Sequence, residues 1–186
     1  IQEQNLIVRF LDWANGRLDK MIRGKRKMVK LLSEYKQAII HRAVTRGLDP
    51  SVPLKPSGIP WLGEIPEHWK VSPLKHLVQI NAHTLSETTD PRLEFQYIDI
   101  GTVETGRLVR KPVQYCFANA PSRARRILMR GDVIVSTVRT YLKAIWFVES
   151  EPVDLIASTG FAVLSPNPDV EPEYLNFIVQ DTNFVD

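Results

Sequence analysis

The sequence predicts an α+β protein in which one long coiled-coil-type helix is followed by a mixed, mainly β domain with few helices. Three observations predict this class. Apolar residues recur at a seven-residue spacing from Leu6 to Arg46, a proline-rich stretch then interrupts the helix, and short β-branched or aromatic runs follow it. We therefore divide the chain into a spacer or dimerisation helix (1–50), a proline-rich linker and domain entry (51–70) and a mainly β domain (71–186).

The first segment carries the seam of a coiled coil, with apolar side chains at alternating three- and four-residue steps. A helix of about 40 residues spans roughly 60 Å, which is more than a domain of this size covers with its own core. We therefore expect this helix to pair with another helix. The predicted helix-pairing residues are Ile7, Leu11, Leu18, Met21, Met28, Leu32, Tyr35 and Ile39.

The seam is imperfect, which leaves an ordinary amphipathic surface helix as an alternative. Lys25 occupies a seam position, and Gly16 and Gly24 each weaken a helix interior by roughly 1 kcal/mol relative to alanine, so a break near either glycine is one option. The second half is better defined, because Gly47 is placed to cap the helix and Pro50 to stop it.

The stretch Pro50–Pro60 contains four prolines and Gly58, and this composition excludes a helix or a central strand. It predicts a stiff, extended linker that sets the direction of the next domain. Trp61 and Trp69 follow the linker. Because an indole buries a large apolar area when it packs, we expect both side chains to cap the core of that domain.

The pattern beyond residue 71 favours short strands, which together predict a sheet of at least five. One helix is predicted at Pro172–Gln180, where proline stands at the helix start and Tyr174, Leu175, Ile178 and Val179 share a side. The chain ends soon after this helix, so we expect the domain to be incomplete at its C-terminus. The predicted strands are Lys75–Asn81, Phe95–Gly101, Asp132–Arg139, Ala144–Val148 and Phe161–Leu164.

Charge is unevenly distributed along the chain, although the net charge is only +3. Residues 107–143 carry nine Lys and Arg against one acidic residue, whereas residues 144–186 carry eight Asp and Glu and no Lys or Arg. Clustered cations attract phosphates and release their counterions, so the first block predicts a polyanion footprint; the alternative is a solvated face neutralised by the acidic block. The nine cations are Arg107, Arg110, Lys111, Arg123, Arg125, Arg126, Arg130, Arg139 and Lys143.

The sequence gives no sign of secretion or of a membrane span, because it has no charged-then-apolar leader and no apolar stretch approaching 18 residues. The single Cys116 has no disulfide partner, and we interpret it as a buried structural thiol rather than a nucleophile. These features together favour a reducing compartment and a cytoplasmic protein.

Catalytic signatures are also missing from the sequence. It contains no glycine-rich phosphate loop, no Cys or His pairs at zinc spacing, no Gly-x-Ser-x-Gly elbow and no Asp-Pro-Pro-Tyr methyltransferase loop. Asp99, two residues before Gly101, fits a turn better than a nuclease metal site. We therefore expect no metal, no cofactor and no catalytic residue in this chain.

Three stretches of the chain share their pattern with one protein family. They are Lys30–Pro50, Lys55–Val71 and Arg130–Arg139, of which the first two are the more specific. Together they resemble the specificity subunit of Type I restriction-modification enzymes, and the resemblance extends over essentially the whole chain. The segment Ser158–Pro166 and the helix start at Glu173–Leu175 also fit it.

The resemblance implies a noncatalytic protein with two target-recognition domains, each of which reads half of a bipartite site in double-stranded DNA. Two long conserved helices, packed antiparallel, would set the distance between the domains. Methylation subunits would bind this subunit and use S-adenosylmethionine, and a motor and cleavage subunit would use ATP and Mg²⁺ within the same complex. The setting would be a bacterial or archaeal cytoplasm.

The chain departs from that pattern, because it would hold only one conserved helix and most of one target-recognition domain. Its partner helix would come from another part of the same subunit or from a copy of this chain. We expect the cations of residues 107–143 to contact phosphates, and Ser136, Thr137, Arg139 and Tyr141 to reach base edges from loops at the end of the sheet.

Two other classes of function compete with DNA recognition. A coiled-coil adaptor whose globular head binds protein predicts negligible affinity for any duplex at moderate salt. An autonomous nuclease or methyltransferase fits the missing motifs least well, and it predicts metal-dependent cleavage or methyl transfer by the isolated chain.

Overall fold

The structure is a computed structural model that describes residues 1–138 and 140–185, with only the backbone for residues 182 and 185. It confirms the predicted α+β class, because a long N-terminal helix precedes a mainly β domain with a short helix. Arg139, which we predicted to contact bases, lies outside the described residues.

The first helix, α1, runs over Gln2–Arg46 and continues through Gly16 and Gly24, so the break considered at these glycines does not occur. The helix ends at Gly47, whose φ of +73° lies in the left-handed region. The Gly47 amide donates to the Ala43 carbonyl at 3.1 Å. This is the glycine C-cap that the sequence predicted.

The chain divides into two compact units, Ile1–Ile40 and His41–Asp186, so the division falls within α1. All strands of the described residues belong to the second unit, together with two short helices, α2 (Pro172–Gln180) and α3 (Thr182–Val185). In chain order the strands are β1 (Leu54–Pro56), β2 (Glu64–Pro66), β3 (Val78–Ile80), β4 (Glu94–Ile98), β5 (Val103–Glu104), β6 (Arg107–Leu108), β7 (Val113–Cys116), β8 (Ala124–Ile127), β9 (Val133–Ser136), β10 (Ile145–Phe147), β11 (Leu155–Ser158) and β12 (Phe161–Pro166).

The proline-rich stretch forms a small hairpin, in which β1 pairs antiparallel with β2. The extended linker predicted for this stretch is therefore wrong. The Ser57 amide donates to the Gly63 carbonyl at 2.9 Å, and Gly63 has a φ of +63°, which closes the turn. Prolines exclude a central strand, but a two-stranded ribbon leaves one side of each strand unpaired, and there a missing N–H has no consequence.

The two tryptophans lie at the surface of the second unit rather than in its main core. Trp61 is exposed, and its ring meets the ring of Phe184 edge to face with 6.1 Å between centroids. Trp69 is half-buried, and its Cζ2 lies 3.5 Å from the position that a Cβ on Gly47 would take. Trp61 therefore lies against α3, and Trp69 lies against the C-cap of α1.

The second unit is built on two four-stranded sheets, whereas the sequence predicted one sheet of at least five strands. The first sheet has the order β10–β9–β12–β3 with antiparallel neighbours throughout. The second has the order β7–β4–β11–β8, and its central pair, β4 and β11, is parallel. A separate hairpin joins β5 to β6.

One apolar cluster draws side chains from both sheets, which therefore pack against each other. It includes Ile134 and Phe161 from the first sheet and Ile98 and Ala157 from the second, all nearly inaccessible to solvent. Helix α2, predicted with the same limits, covers the other side of the first sheet through its buried Leu175 and Val179. Burial on both faces of the first sheet explains why its central strands, β9 and β12, are largely continuous apolar runs.

A buried carboxylate ties the loop before β9 to β12. Asp132 Oδ1 accepts a hydrogen bond from the Ser165 hydroxyl at 2.6 Å, and its Oδ2 accepts from the Met129 amide at 2.8 Å. Burial raises the pKa of the Asp132 carboxyl above 3.8, and the two hydrogen bonds and the charge of His83 offset part of that rise. The unfolded chain therefore loses this proton at a lower pH than the folded chain does.

We expect Asp132→Asn to reduce the pH dependence of the unfolding free energy in the pH range from 3.8 upwards. In the wild-type protein this residue contributes stability below pH 3.8, and that contribution is lost as pH rises through the folded pKa. The amide keeps both partners, because its oxygen accepts from Met129 and its nitrogen donates to Ser165. Urea unfolding across this pH range measures the effect, with the exposed Asp169→Asn as control. Equal pH profiles for Asp132→Asn and the wild type would contradict the prediction.

Candidate nucleic-acid interface

The predicted helix-pairing residues all lie exposed on α1. Each has about half or more of its surface accessible in the chain alone, and further apolar side chains flank them, including Val8, Ile22 and Val29. The apolar face of this helix is therefore wider than a two-position seam. The residues concerned are Ile7, Leu11, Leu18, Met21, Met28, Leu32, Tyr35 and Ile39. Their pairing stays a prediction.

The parallel pair in the second sheet creates one edge where several chain segments meet. Strands β4 and β11 both end there, and β4 continues into a turn in which Asp99 Oδ1 accepts from the Thr102 hydroxyl at 2.8 Å. Arg123 precedes β8, which runs antiparallel to β11, so it lies at the same edge. The Thr159 amide donates to the Arg123 carbonyl at 2.8 Å and joins the two segments.

Two more segments are hydrogen-bonded to this edge. The Thr137 amide and hydroxyl both donate to the Gly160 carbonyl, at 2.9 and 3.0 Å, which fixes the start of the loop between β9 and β10. The Thr105 hydroxyl donates to the Lys143 carbonyl at 2.5 Å, which joins the β5–β6 hairpin to the end of that loop. We call this region the basic end, and its cations are Arg107, Arg110, Lys111, Arg123 and Lys143.

The cations of the basic end differ in their surroundings. The Arg107 guanidinium forms an exposed ion pair with Glu104, with 2.6 Å between Nη2 and Oε2. Arg110, Lys111 and Arg123 are exposed. Because Arg107 already lies beside a carboxylate, the exposed Arg110 and Arg123 are better placed to take a phosphate.

Arg125 and Arg126 lie on β8 and are half-buried. The Arg125 guanidinium lies 5.0 Å from the centroid of the Phe117 ring, and its Nη1 donates to the Ala124 carbonyl at 3.0 Å. Arg126 Nη1 donates to the Thr84 hydroxyl at 3.1 Å. Both side chains thus make contacts within the domain, although the buried Arg126 Nε has no hydrogen-bond partner among the described residues.

Arg130 lies at the opposite end of the second sheet. It follows β8, whose far end meets the start of β11 through the hydrogen bond from the Leu128 amide to the Leu155 carbonyl at 3.0 Å. The acidic residues Glu149, Glu151 and Asp154 precede β11 at this same end. The start of β11 therefore carries three carboxylates together with Arg130, whereas the basic end carries five cations together with Asp99 and Glu104.

The four residues predicted to reach base edges have different positions. Ser136 is buried, with 3% of its surface exposed, and its hydroxyl donates to the Val138 carbonyl at 2.6 Å, which favours a structural role. Thr137 is exposed, although its hydroxyl is engaged by Gly160. Tyr141 is exposed at the basic end, and Arg139 is outside the described residues.

A cleft of about 410 Å³ opens beside Arg123, and the sequence did not predict it. Tyr97 and Tyr115 both line this cleft. Their rings meet each other edge to face, with 6.0 Å between centroids. Tyr97 on β4 pairs with Val113 on β7, which brings the tyrosines of two strands to one face. The sequence signal for this cleft is the spacing of aromatic residues at every second position of both strands. That spacing does not locate the cleft, because it does not say which residues of β4 and β7 pair.

The cysteine, the possible metal ligands and the long helix complete the comparison with the predicted features. Cys116 is half-buried rather than buried, and its thiol donates to the Pro91 carbonyl at 2.9 Å. Within residues 1–138 and 140–185, no three His, Cys, Asp or Glu side chains are grouped to hold a metal ion. In the same ranges, no helix has both the length and the apolar character needed to cross a membrane.

Solved structures of Type I restriction-modification proteins match the chain. The HsdS subunit from Thermoanaerobacter tengcongensis is 32% identical over 61% of this chain, with a TM-score of 0.51. A chain from a structure of complex assembly and conformational transition of the type I R-M system is 34% identical over 57% of this chain, with a TM-score of 0.50. No protein-family model and no curated protein matches.

This similarity confirms the resemblance to specificity subunits that the sequence predicted, over about 60% of the chain. The chain spans less than a third of the length of these two proteins, 31% of the first and 29% of the second. What this chain has in common with them is therefore one part of a longer subunit.

Proposed function

We propose that this chain is part of a noncatalytic, sequence-specific DNA-binding specificity subunit of a Type I restriction-modification system. It would read one half of a bipartite site through the basic end. The observation that carries the proposal is the meeting of Arg107, Arg110, Lys111, Arg123 and Lys143 at one edge of the second sheet, with acidic residues at the other. The similarity to HsdS subunits supports it.

Charge separation along the domain gives DNA a preferred orientation. A duplex carries one negative charge per roughly 1.7 Å of axis, so it is attracted to the basic end and repelled by the end with Glu149, Glu151 and Asp154. Loops at the basic end would then meet the grooves. Phosphate contacts fix the register, and side chains that reach base edges supply the specificity.

The helix gives the proposed subunit its means of assembly. A 45-residue helix is about 68 Å long, enough to separate two DNA-reading domains by more than one turn of B-DNA, which is about 34 Å. Its exposed apolar face would pack on a second conserved helix, from the same subunit or from a copy of this chain. Methylation subunits would dock on the assembled helices and carry S-adenosylmethionine.

The chemistry would reside in the other subunits. The motor and cleavage subunit would join through the complex and use ATP and Mg²⁺, and the assembly would act on double-stranded DNA in a bacterial or archaeal cytoplasm. The present chain would supply only recognition and spacing. This division of labour is consistent with the absence of catalytic motifs from the sequence.

Duplex binding separates this function from its main competitor. We expect the full chain to shift a random-sequence DNA duplex at low salt, and to enrich a subset of sequences when a random library is selected at moderate salt. A coiled-coil adaptor, which the exposed apolar face of α1 would also fit, predicts no shift and no enrichment. Absence of both effects would refute the proposal.

A further inference from the structure

The loop between β9 and β10 carries three exposed apolar side chains at its tip. Tyr141 is 75% exposed, Leu142 is 50% exposed and Val138 is 44% exposed. Thr140–Leu142 form a single helical turn, which presents Tyr141 and Leu142 next to each other. Tyr141 is more exposed than any other described tyrosine, tryptophan or phenylalanine of the second unit. None of the three side chains belongs to the apolar clusters that form the core of the domain.

Both flanks of the loop are fixed. On one side the Thr137 amide and hydroxyl hold the Gly160 carbonyl, and on the other the Thr105 hydroxyl holds the Lys143 carbonyl. The Lys143 amide also donates to the Thr140 carbonyl at 2.8 Å, and Lys143 has a φ of +47°, in the left-handed region. A non-glycine residue keeps this conformation only where its surroundings determine it. Hydrogen bonds therefore anchor both ends of the loop, and the left-handed Lys143 ends its helical turn.

The surroundings of the tip indicate which partner it meets. The same end of the domain carries the exposed Arg107, Arg110 and Arg123, so the apolar tip lies at the basic end. A duplex has the complementary arrangement, because its phosphates are anionic and its stacked bases are apolar. Proteins that bend DNA use apolar side chains on basic surfaces in this way. A protein partner would need an acidic rim around an apolar pocket.

We propose that Tyr141 and Leu142 form a wedge that enters a base step of the bound duplex and partly unstacks it. This inference rests on the proposed function and deepens it. The tyrosine ring stacks on one exposed base, and Leu142 fills the space beside it. Pyrimidine–purine steps unstack most readily, so the wedge would select the base step at its site through the ease of its deformation.

A fluorescent base analogue tests the wedge. The full chain first selects a duplex from a random library, and 2-aminopurine then replaces one base of that duplex at a time. We expect bound wild-type protein to raise the fluorescence at one step, because unstacking relieves quenching. Tyr141→Ala abolishes the rise and weakens binding about 10-fold, whereas Tyr141→Phe keeps both, since the ring is retained. Leu142→Ala gives a smaller rise than the wild type.

A matched control removes an exposed ring elsewhere. Phe177→Ala on α2 takes away a ring that is exposed on a different element, and it should leave fluorescence and affinity as in the wild type. If wild-type protein binds the duplex and no position brightens, or if Tyr141→Ala brightens like the wild type, the wedge is refuted and the proposed function stands. If the wild type binds no duplex at all, both are refuted.

Discussion

Replacing Arg110 and Arg123 together with alanine is expected to weaken binding to duplex DNA by about 10- to 100-fold at low salt. Each phosphate contact contributes roughly 0.9 to the slope of log K against log salt, so the slope should fall by about 1.8. Both arginines are exposed at the basic end, and they approach it from different segments of the chain. Filter binding or fluorescence anisotropy at four or more salt concentrations measures affinity and slope together.

These two arginines are chosen over the other cations because of their contacts. Arg107 is partly neutralised by Glu104, and Arg125 and Arg126 make contacts within the domain. Substitution of Arg125 or Arg126 would remove contacts within the domain, so a loss of DNA binding could not be assigned to a lost phosphate contact rather than to lower stability. The sequence alone predicted all nine cations as one footprint, and it did not separate these cases.

The domain offers a control with the same change of charge. Arg130→Ala removes one cation at the acidic end of the sheet, so we expect it to leave the salt slope within about 0.3 of the wild-type value. Arg123→Ala removes one at the basic end and should lower the slope by about 0.9. Equal effects of these two single substitutions would mean that the position of the charge is irrelevant, and would contradict an oriented interface.

The position of these two arginines illustrates what the sequence could not predict. Arg123 and Arg130 flank β8, and a four-residue strand of about 13 Å carries them to opposite edges of the sheet. A block of cations in the sequence is therefore not one patch in the fold. Which edge each arginine reaches depends on the antiparallel pairing of β8 with β11, a contact between distant segments.

Sequence patterns within a single segment predicted the helix and strands whose formation depends on that segment's own residues. The heptad spacing and the Gly47 cap located α1, and the apolar runs located strands such as β9 and β12, because burial of both sheet faces selects such residues. Strand β8 was missed because its Ala-Arg-Arg-Ile sequence contains two charges, although the long arginine stems lie half-buried along the sheet. Strand β11 was also missed, although it is as long as the predicted strand β9.

The prediction of a single sheet was wrong because strand pairing depends on contacts between distant segments. The parallel contact of β4 with β11 joins residues such as Tyr97 and Ile156 across more than fifty positions, and no periodicity within either strand encodes it. This contact also creates the edge at which the cations gather. The residue types of the candidate site could therefore be predicted from the sequence, whereas their separation into a basic end and internal contacts required the pairing of the strands.

Leu32→Asp and Ile39→Asp are each expected to prevent α1 from associating with a second helix. Both side chains lie on the predicted seam, and both are more than half exposed in the chain alone. In a helix pair they would be buried, and a carboxylate buried without a partner costs several kcal/mol, which raises the dissociation constant at least about 100-fold. The measurement is sedimentation velocity of the chain alone and of the chain mixed with methylation subunits.

Ser33→Asp is the matched control, because it places the same charge one residue along the same helix. Ser33 lies beside the seam position of Leu32 and points about 100° away from it around the helix axis. The three variants share the low helix propensity of aspartate, so a general loss of helix would affect all of them alike. If wild-type chain and the Ser33 variant form the larger species while the two seam variants sediment as monomers, the exposed stripe is a helix-pairing surface. Identical sedimentation of all four proteins would make α1 an ordinary amphipathic helix, the alternative that the glycines and Lys25 left open.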